Sequence, residues 1–182
     1  GFKRSFKLNI PMVSQDLLQQ ISFGTTALAG LLLWVLEGVF PFFAGRRKRG
    51  VHTLKNFSLA TLNLMILIPG SAVTAFALSA SAKIWPGVKG LGLPAAVQTV
   101  LIIVLIDLWM YAWHRLNHRV DFLWRFHAVH HSDPEMDVST AWRFHFVEIF
   151  LSECLRLPML MLIGAEIGEL LLYTIFMTPV IA

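Results

Sequence analysis

The sequence predicts an all-α integral membrane protein, a helical bundle of about four to five membrane helices at roughly 20 residues per span. Three observations lead there. Hydrophobic residues make up 56% of the chain and charged residues only 14%, and mean hydropathy is +0.65, an apolar share above that of soluble domains. Apolar segments of span length recur along all 182 residues, and none shows the strict alternation of a strand. One membrane domain over residues 1–182 is expected, with its polar motifs in about 95–182.

Residues 1–20 are mixed and read as interfacial. The first span is expected over Ile21–Ala44, with Glu37 close enough to its end to reach the interface. A basic loop containing Arg46, Arg47, Lys48, Arg49 and Lys55 follows. The second span, Asn56–Ala80, carries Pro69 and Gly70, which predict a kink or a bent hairpin. A Gly- and Pro-rich loop with Lys83 and Lys89 leads to the third span, Ala95–Trp113, whose one charge is Asp107. Two shorter apolar stretches, joined around Gly164, complete the chain. It begins at Gly1 and stops inside "LLLYTIFMTPVIA", which predicts a fragment cut at both ends and incomplete at the C-terminus.

A net charge of +4 and a pI near 9.6 invite a nucleic-acid reading. The basic residues instead flank apolar runs, where orientation signals belong, so no nucleic-acid partner is expected. The loop after the first span carries five Lys or Arg and the next loop two. This puts the first loop, and the segment after the third span, in the cytoplasm. Lys3, Arg4 and Lys7 run against that orientation. The single cysteine, Cys154, excludes an internal disulfide and a cysteine-built zinc site.

Six of the seven histidines lie in "HRLNHRVDFLWRFHAVHHSDPEMDVSTAWRFH", directly after the third span. His114 and His118 are four apart, so on a helix they share a face, about 40° from each other. His127 is three and four residues from His130 and His131. Two clusters at one-turn spacing on two facing helices are how helical bundles build metal sites. Five histidines within 18 residues exceed the four ligands of a structural zinc site and favour two ions. Imidazole suits iron and zinc alike: an iron pair would activate dioxygen, a zinc pair water.

"DLWMYAWHRLNH" and "LWRFHAVHHSDPEMDVSTAWRFH", followed by Glu148, resemble the fatty acid hydroxylase and sterol desaturase superfamily of integral membrane di-iron oxygenases. The shared pattern is HxxxH, then HxxHH, then a TxxRxHPxE-like segment, then a further HxxHH, and the resemblance covers about residues 30–182. It implies that His114, His118, His127, His130 and His131 are metal ligands, with His145 a ligand or an outer partner and Glu148 an outer partner. No catalytic residue beyond the metal ligands is implied. The expected cofactor is two iron ions, with zinc as a possible substitute. The expected reaction is hydroxylation or desaturation of a lipid (acyl chain, sterol or related) by O2, with electrons from an external donor such as a cytochrome b5- or ferredoxin-type reductant. Phe146 replaces the pattern's Pro, and the last HxxHH is absent from this chain.

Asp107, two turns before His114 on the same face, is expected to accept a hydrogen bond from a ligating histidine. Asp137 and Arg143 are expected to pair with each other or to touch the ligands. Ser132 with Glu135, and Ser139 or Thr140, read as helix caps. Trp109, Tyr111, Trp113, Trp124 and Trp142 read as an interfacial belt, and His52 as an exposed histidine of the basic loop. The rival readings are a zinc-dependent membrane hydrolase using the same histidines, a bis-histidine haem protein, whose ligands need no one-turn clusters, and a non-catalytic metal-binding fragment.

Overall fold

A computed structural model describes residues 15–40 and 49–181, excluding the side chains of residues 15 and 178–181. Among these the architecture is wholly helical: α1 (Gln15–Val39), α2 (Arg49–Ser81), α3 (Ala95–Arg119), α4 (Asp121–His131), α5 (Phe146–Ile163) and α6 (Ile167–Ile181). Two short 3₁₀ turns, Gly87–Leu91 and Val138–Trp142, sit in the connections.

α1, α2 and α3 are each long and apolar enough to cross a membrane, and α5 with α6, bent by 117°, make a fourth candidate if they count as one broken span. The protein is a membrane protein. Leu31, Val35, Leu62, Met65, Val100, Val104 and Leu108 are all exposed, which suits side chains that face acyl tails rather than water. The packed core is small and joins the helices at one end: Leu78, Ile102, Ile106, Leu160 and Ile163 are buried together with Val88 and Ala165. α2 packs on α5, α1 on α6, and α3 touches α4, α5 and α6.

α3 starts after Pro94, which fixes the chain direction into the helix without needing a donor there. It runs to Arg119, well past the predicted end of the span, because "HRLNHR" contains no breaker and continues the helix. α2 likewise runs unbroken for 33 residues through Pro69 and Gly70, so the expected bent hairpin does not form. Gly70 lies beside Glu153 of α5, and the Ser71 hydroxyl donates to the Ile68 carbonyl at 2.7 Å. Arg49 and Lys55 belong to α2 rather than to a loop, while residues 41–48, with the first three of the basic cluster, lie outside the described residues.

The end of the molecule away from the histidines is pinned by backbone contact. Gly164 closes α5 at φ 73°, donating to the carbonyls of Leu160 and Met161, and a Cβ there would lie 2.5 Å from the Pro86 carbonyl oxygen. The Trp85 indole donates to the Leu162 carbonyl at 2.8 Å, and Lys89 pairs with Glu166 at 2.6 Å. Gly164→Ala is therefore expected to cost about 2–4 kcal/mol, from left-handed strain plus overpacking. Thermal unfolding in detergent measures it.

The segment between α4 and α5 is capped differently from the sequence expectation. Ser132 ends α4, its hydroxyl donating to the Val129 carbonyl at 2.9 Å, so it opens no helix with Glu135. Asp137, not Ser139 or Thr140, caps the turn Val138–Trp142, because its extended backbone (φ −135°) aims its carboxylate at the Ser139 N–H. Thr140 completes the reciprocal box.

Candidate metal centre

The site is built by one corner. Val120 is the single non-helical residue between α3 and α4, extended at φ −103° and ψ 113°. Its N–H still bonds the Leu116 carbonyl at 3.0 Å, so α3 ends cleanly and α4 folds back against it. Each helix carries two histidines at one-turn spacing, and the corner turns the two faces toward each other.

The result is a quartet. His114, His118, His127 and His131 each offer one ring nitrogen, and the four nitrogens lie within 4.8 Å of one another. Nε2 of His118 is 3.2 Å from Nε2 of His114, and Nε2 of His131 is 3.2 Å from Nε2 of His127. His127 is buried and the other three are exposed. The His127 Nδ1 lies 2.7 Å from Glu148 Oε1, which makes it the donor to that carboxylate and leaves Nε2 as a bare acceptor aimed into the cluster. Burial, and then the rings of His127, His130, His118 and His114, push His131 down to about 4, so at neutral pH it too offers a lone pair.

These residues fit a cation. Converging nitrogen lone pairs repel unless a positive charge stands between them, and the pairs cannot all share hydrogens. Ligands on opposite sides of one ion sit about 4 Å apart at ordinary metal–nitrogen distances, so the quartet has the span of one ion. Three buried polar atoms nearby, Glu148 Oε2, Asn117 Oδ1 and His130 Nδ1, have no hydrogen-bond partner among the described residues. The Asn117 amide donates to Glu148 Oε1 at 3.4 Å.

His130 and His145 are not among the four converging nitrogens, although the His130 ring lies 5.0 Å from that of His131 and 5.7 Å from that of His127. A residue next to His131 lies about 100° round the helix, and His130 stacks on Phe144 at 4.6 Å and 5°. Burial, ahead of His127, lowers its pKa. His145 caps α5, its Nδ1 accepting from the Val147 N–H at 3.2 Å, with its ring 5.1 Å from that of Phe126. Asp107 accepts from the Tyr173 hydroxyl at 3.3 Å, one residue of α3 meeting one of α6. Trp124, one turn before His127, packs on the quartet, 5.3 Å from the His118 ring and 5.7 Å from that of His131.

Beside the quartet lies a polar network that the sequence reading missed. His52 is not an exposed loop residue: it sits in α2, with Nε2 2.8 Å from Asp133 Oδ1 and Nδ1 3.2 Å from Asp137 Oδ2. Both carboxylates are fully buried. Asn56, one turn on, donates to Asp133 at 3.2 Å and to Ser139 at 2.9 Å. Arg143 gives its guanidinium to the Val129 carbonyl at 2.9 Å, to Asn56 Oδ1 at 3.0 Å and to Ser132 at 3.1 Å. Farther along α2, Asn63 donates to the Phe144 carbonyl at 3.1 Å. Glu37 of α1 accepts from the Val138 N–H at 3.2 Å and faces Arg49 at 3.8 Å. Burial alone would raise the pKa of Asp133, but hydrogen bonds from Thr140, His52, the Glu135 backbone and Asn56 outweigh it and bring it from 3.8 to about 2. The legible signal was the polar set His52, Asn56 and Asn63, whose spacing keeps one helical face.

Thr140 donates to Asp133 at 2.6 Å and accepts from the Asp137 N–H at 3.0 Å. Thr140→Val, nearly the same size, is expected to lower stability by about 1–2 kcal/mol through loss of a cap and of a charge-assisted bond. Thermal unfolding of the two proteins side by side tests this.

Residues 99–181 match the sequence model of the fatty acid hydroxylase family. The chain is 38% identical over 91 residues to the ornithine lipid hydroxylase OlsE of Rhizobium tropici, a match covering 50% of this chain and 26% of that protein. It is 29% identical over 176 residues to the alkylglycerol monooxygenase of Danio rerio, covering 92% of this chain and 38% of the relative. The chain thus spans well under half the length of either. No solved structure matches. The family match falls on the helices that assemble the histidine quartet, and together the matches support the fatty acid hydroxylase and sterol desaturase superfamily.

Proposed function

We propose that this chain forms the metal-holding part of a membrane oxygenase that hydroxylates a lipid. The observation that carries the reading is the quartet of His114, His118, His127 and His131 with Glu148 locked behind His127. Iron held there would supply the activation of O2, chemistry that side chains alone lack. Two irons are part of the proposal. The quartet spans one ion, and Nδ1 of His130 and Oε2 of Glu148, without hydrogen-bond partners among the described residues, are candidates toward a second.

The chain's own residues do the holding. Glu148 fixes the tautomer and plane of His127, and Trp124 covers the rings of His118 and His131 from one side. The exposed apolar faces of α2 and α3 lie in the bilayer, so an acyl or alkyl chain reaches the site without crossing water. The relatives act on ornithine lipid and alkylglycerol by name, and a polar-headed membrane lipid is the substrate class proposed here. One oxygen atom of O2 enters a C–H bond, and the other leaves as water with two electrons and two protons. Those electrons come from an external cytochrome b5- or ferredoxin-type donor.

The quartet is assigned to the cytoplasmic face. α2 begins with Arg49 and Lys55 at the end where His52 meets the histidine segment, and that is the more basic side.

The test is incubation of the iron-loaded protein with ornithine lipid or alkylglycerol, reductant and isotopically heavy dioxygen. A product carrying one heavy oxygen is expected. A cleaved product whose oxygen comes from water would contradict the oxygenase and favour a hydrolase.

A further inference from the structure

The hold that α2 keeps on the segment after α4 plays no part in the chemistry above. α4 packs chiefly on α3 and α5, and polar side chains of α2 reach its C-terminal end. Two of those links straddle His131 in sequence. Before it, the Val129 carbonyl accepts from Arg143, which also bonds Asn56. After it, Asp133 accepts from His52 and Asn56.

The His52 link is the two-sided one. Its two ring nitrogens face two different carboxylates. Here Nε2 is 2.8 and 2.9 Å from the oxygens of Asp133, and Nδ1 is 3.2 Å from Asp137. The other donors to Asp133, namely Thr140, Asn56 and the Glu135 backbone, are neutral. Loss of the ring would remove one partner from each of two buried carboxylates. The ring also ties Asp133 to Asp137, closing the loop between them.

We propose that His52 is a positioning residue for the metal centre: its ring, held between Asp133 and Asp137, fixes the C-terminal end of α4 so that His131 closes the quartet. This rests on the reading that the quartet binds a metal ion.

Titration of the full chain in detergent with Co²⁺, followed by its visible absorption, tests both binding and ligand geometry. His52→Ala is expected to bind about tenfold or more weakly, as outer partners of metal ligands do when lost, and to shift the absorption bands. His52→Gln, which keeps one donor toward Asp133, should recover part of the affinity. Where His52→Ala does not fold, Asp137→Asn opens one side of the clasp and should weaken binding several-fold while leaving the Asp133 contact in place. Affinity and spectrum within twofold of wild type in the folded variants, even with a lower melting temperature, would overturn the proposal and leave His52 a purely structural residue. A wild-type chain that binds no Co²⁺ would overturn this inference and the metal reading together, so the two failures are distinguishable.

Discussion

Glu148→Ala is expected to weaken metal binding by about 10- to 100-fold, the usual cost of losing the outer partner of a ligating histidine. The reason is specific to this pair. Glu148 and His127 are both buried, and the 2.7 Å bond between them sets which nitrogen of His127 carries hydrogen. Without the carboxylate the ring is free to rotate and to adopt the other tautomer, which aims an N–H at the cation. Asn117 also loses its acceptor. Leaving such a buried group alone costs about 1–3 kcal/mol, so stability should fall along with affinity. Glu148→Gln separates the two effects: it keeps an oxygen for the Nδ1–H and the packing, loses the charge, and should melt near wild type with an intermediate affinity. Metal titration and thermal unfolding of both variants check this, and an unchanged affinity in Glu148→Ala would count against the assigned role.

His127→Ala should have the largest effect of any single change, with no ion retained at micromolar metal. It removes the one buried ligand and strands Glu148, whereas removal of an exposed ligand leaves a site that water can complete. His118→Ala should therefore bind weakly rather than not at all. His145→Ala is the informative contrast. Its Nδ1 caps α5 rather than facing the quartet, so its loss should lower stability by about 1 kcal/mol and leave affinity within a few-fold of wild type. Equal losses of metal in His127→Ala and His145→Ala would place both in the first coordination sphere.

Much of this was legible in the sequence because one-turn spacing is a local property. His114 with His118, and His127 with His131, follow from helix periodicity alone, and the long apolar run before them placed them at a membrane end. The same arithmetic sets His130 about 100° from His131, so its ring stacks on Phe144 while staying 5.0 Å from the His131 ring. Other features needed the fold. The corner at Val120 is one residue with no breaker, and the sequence around it gives no reason to expect a sharp turn. Asp107 was expected to accept from a ligating histidine, but the hydrogen bond it accepts comes from Tyr173 of α6. His52 was misplaced because a run of basic residues looks like a loop, whereas Arg49 begins a helix whose polar stripe lies against the segment after α4. Long-range partners such as Asp133, separated from His52 by 81 positions, have no signature in a single sequence.

In the proposed centre, four histidines on α3 and α4 hold one metal site. The most direct test of this proposal is metal content of the purified chain, loaded with Fe²⁺ without oxygen, beside His114→Ala, His118→Ala, His127→Ala and His131→Ala. Bound iron in the wild type, with every substitution lowering affinity and His127→Ala abolishing binding, is the predicted result. Iron that stays bound after any two of the four are removed together would contradict it and place the metal elsewhere.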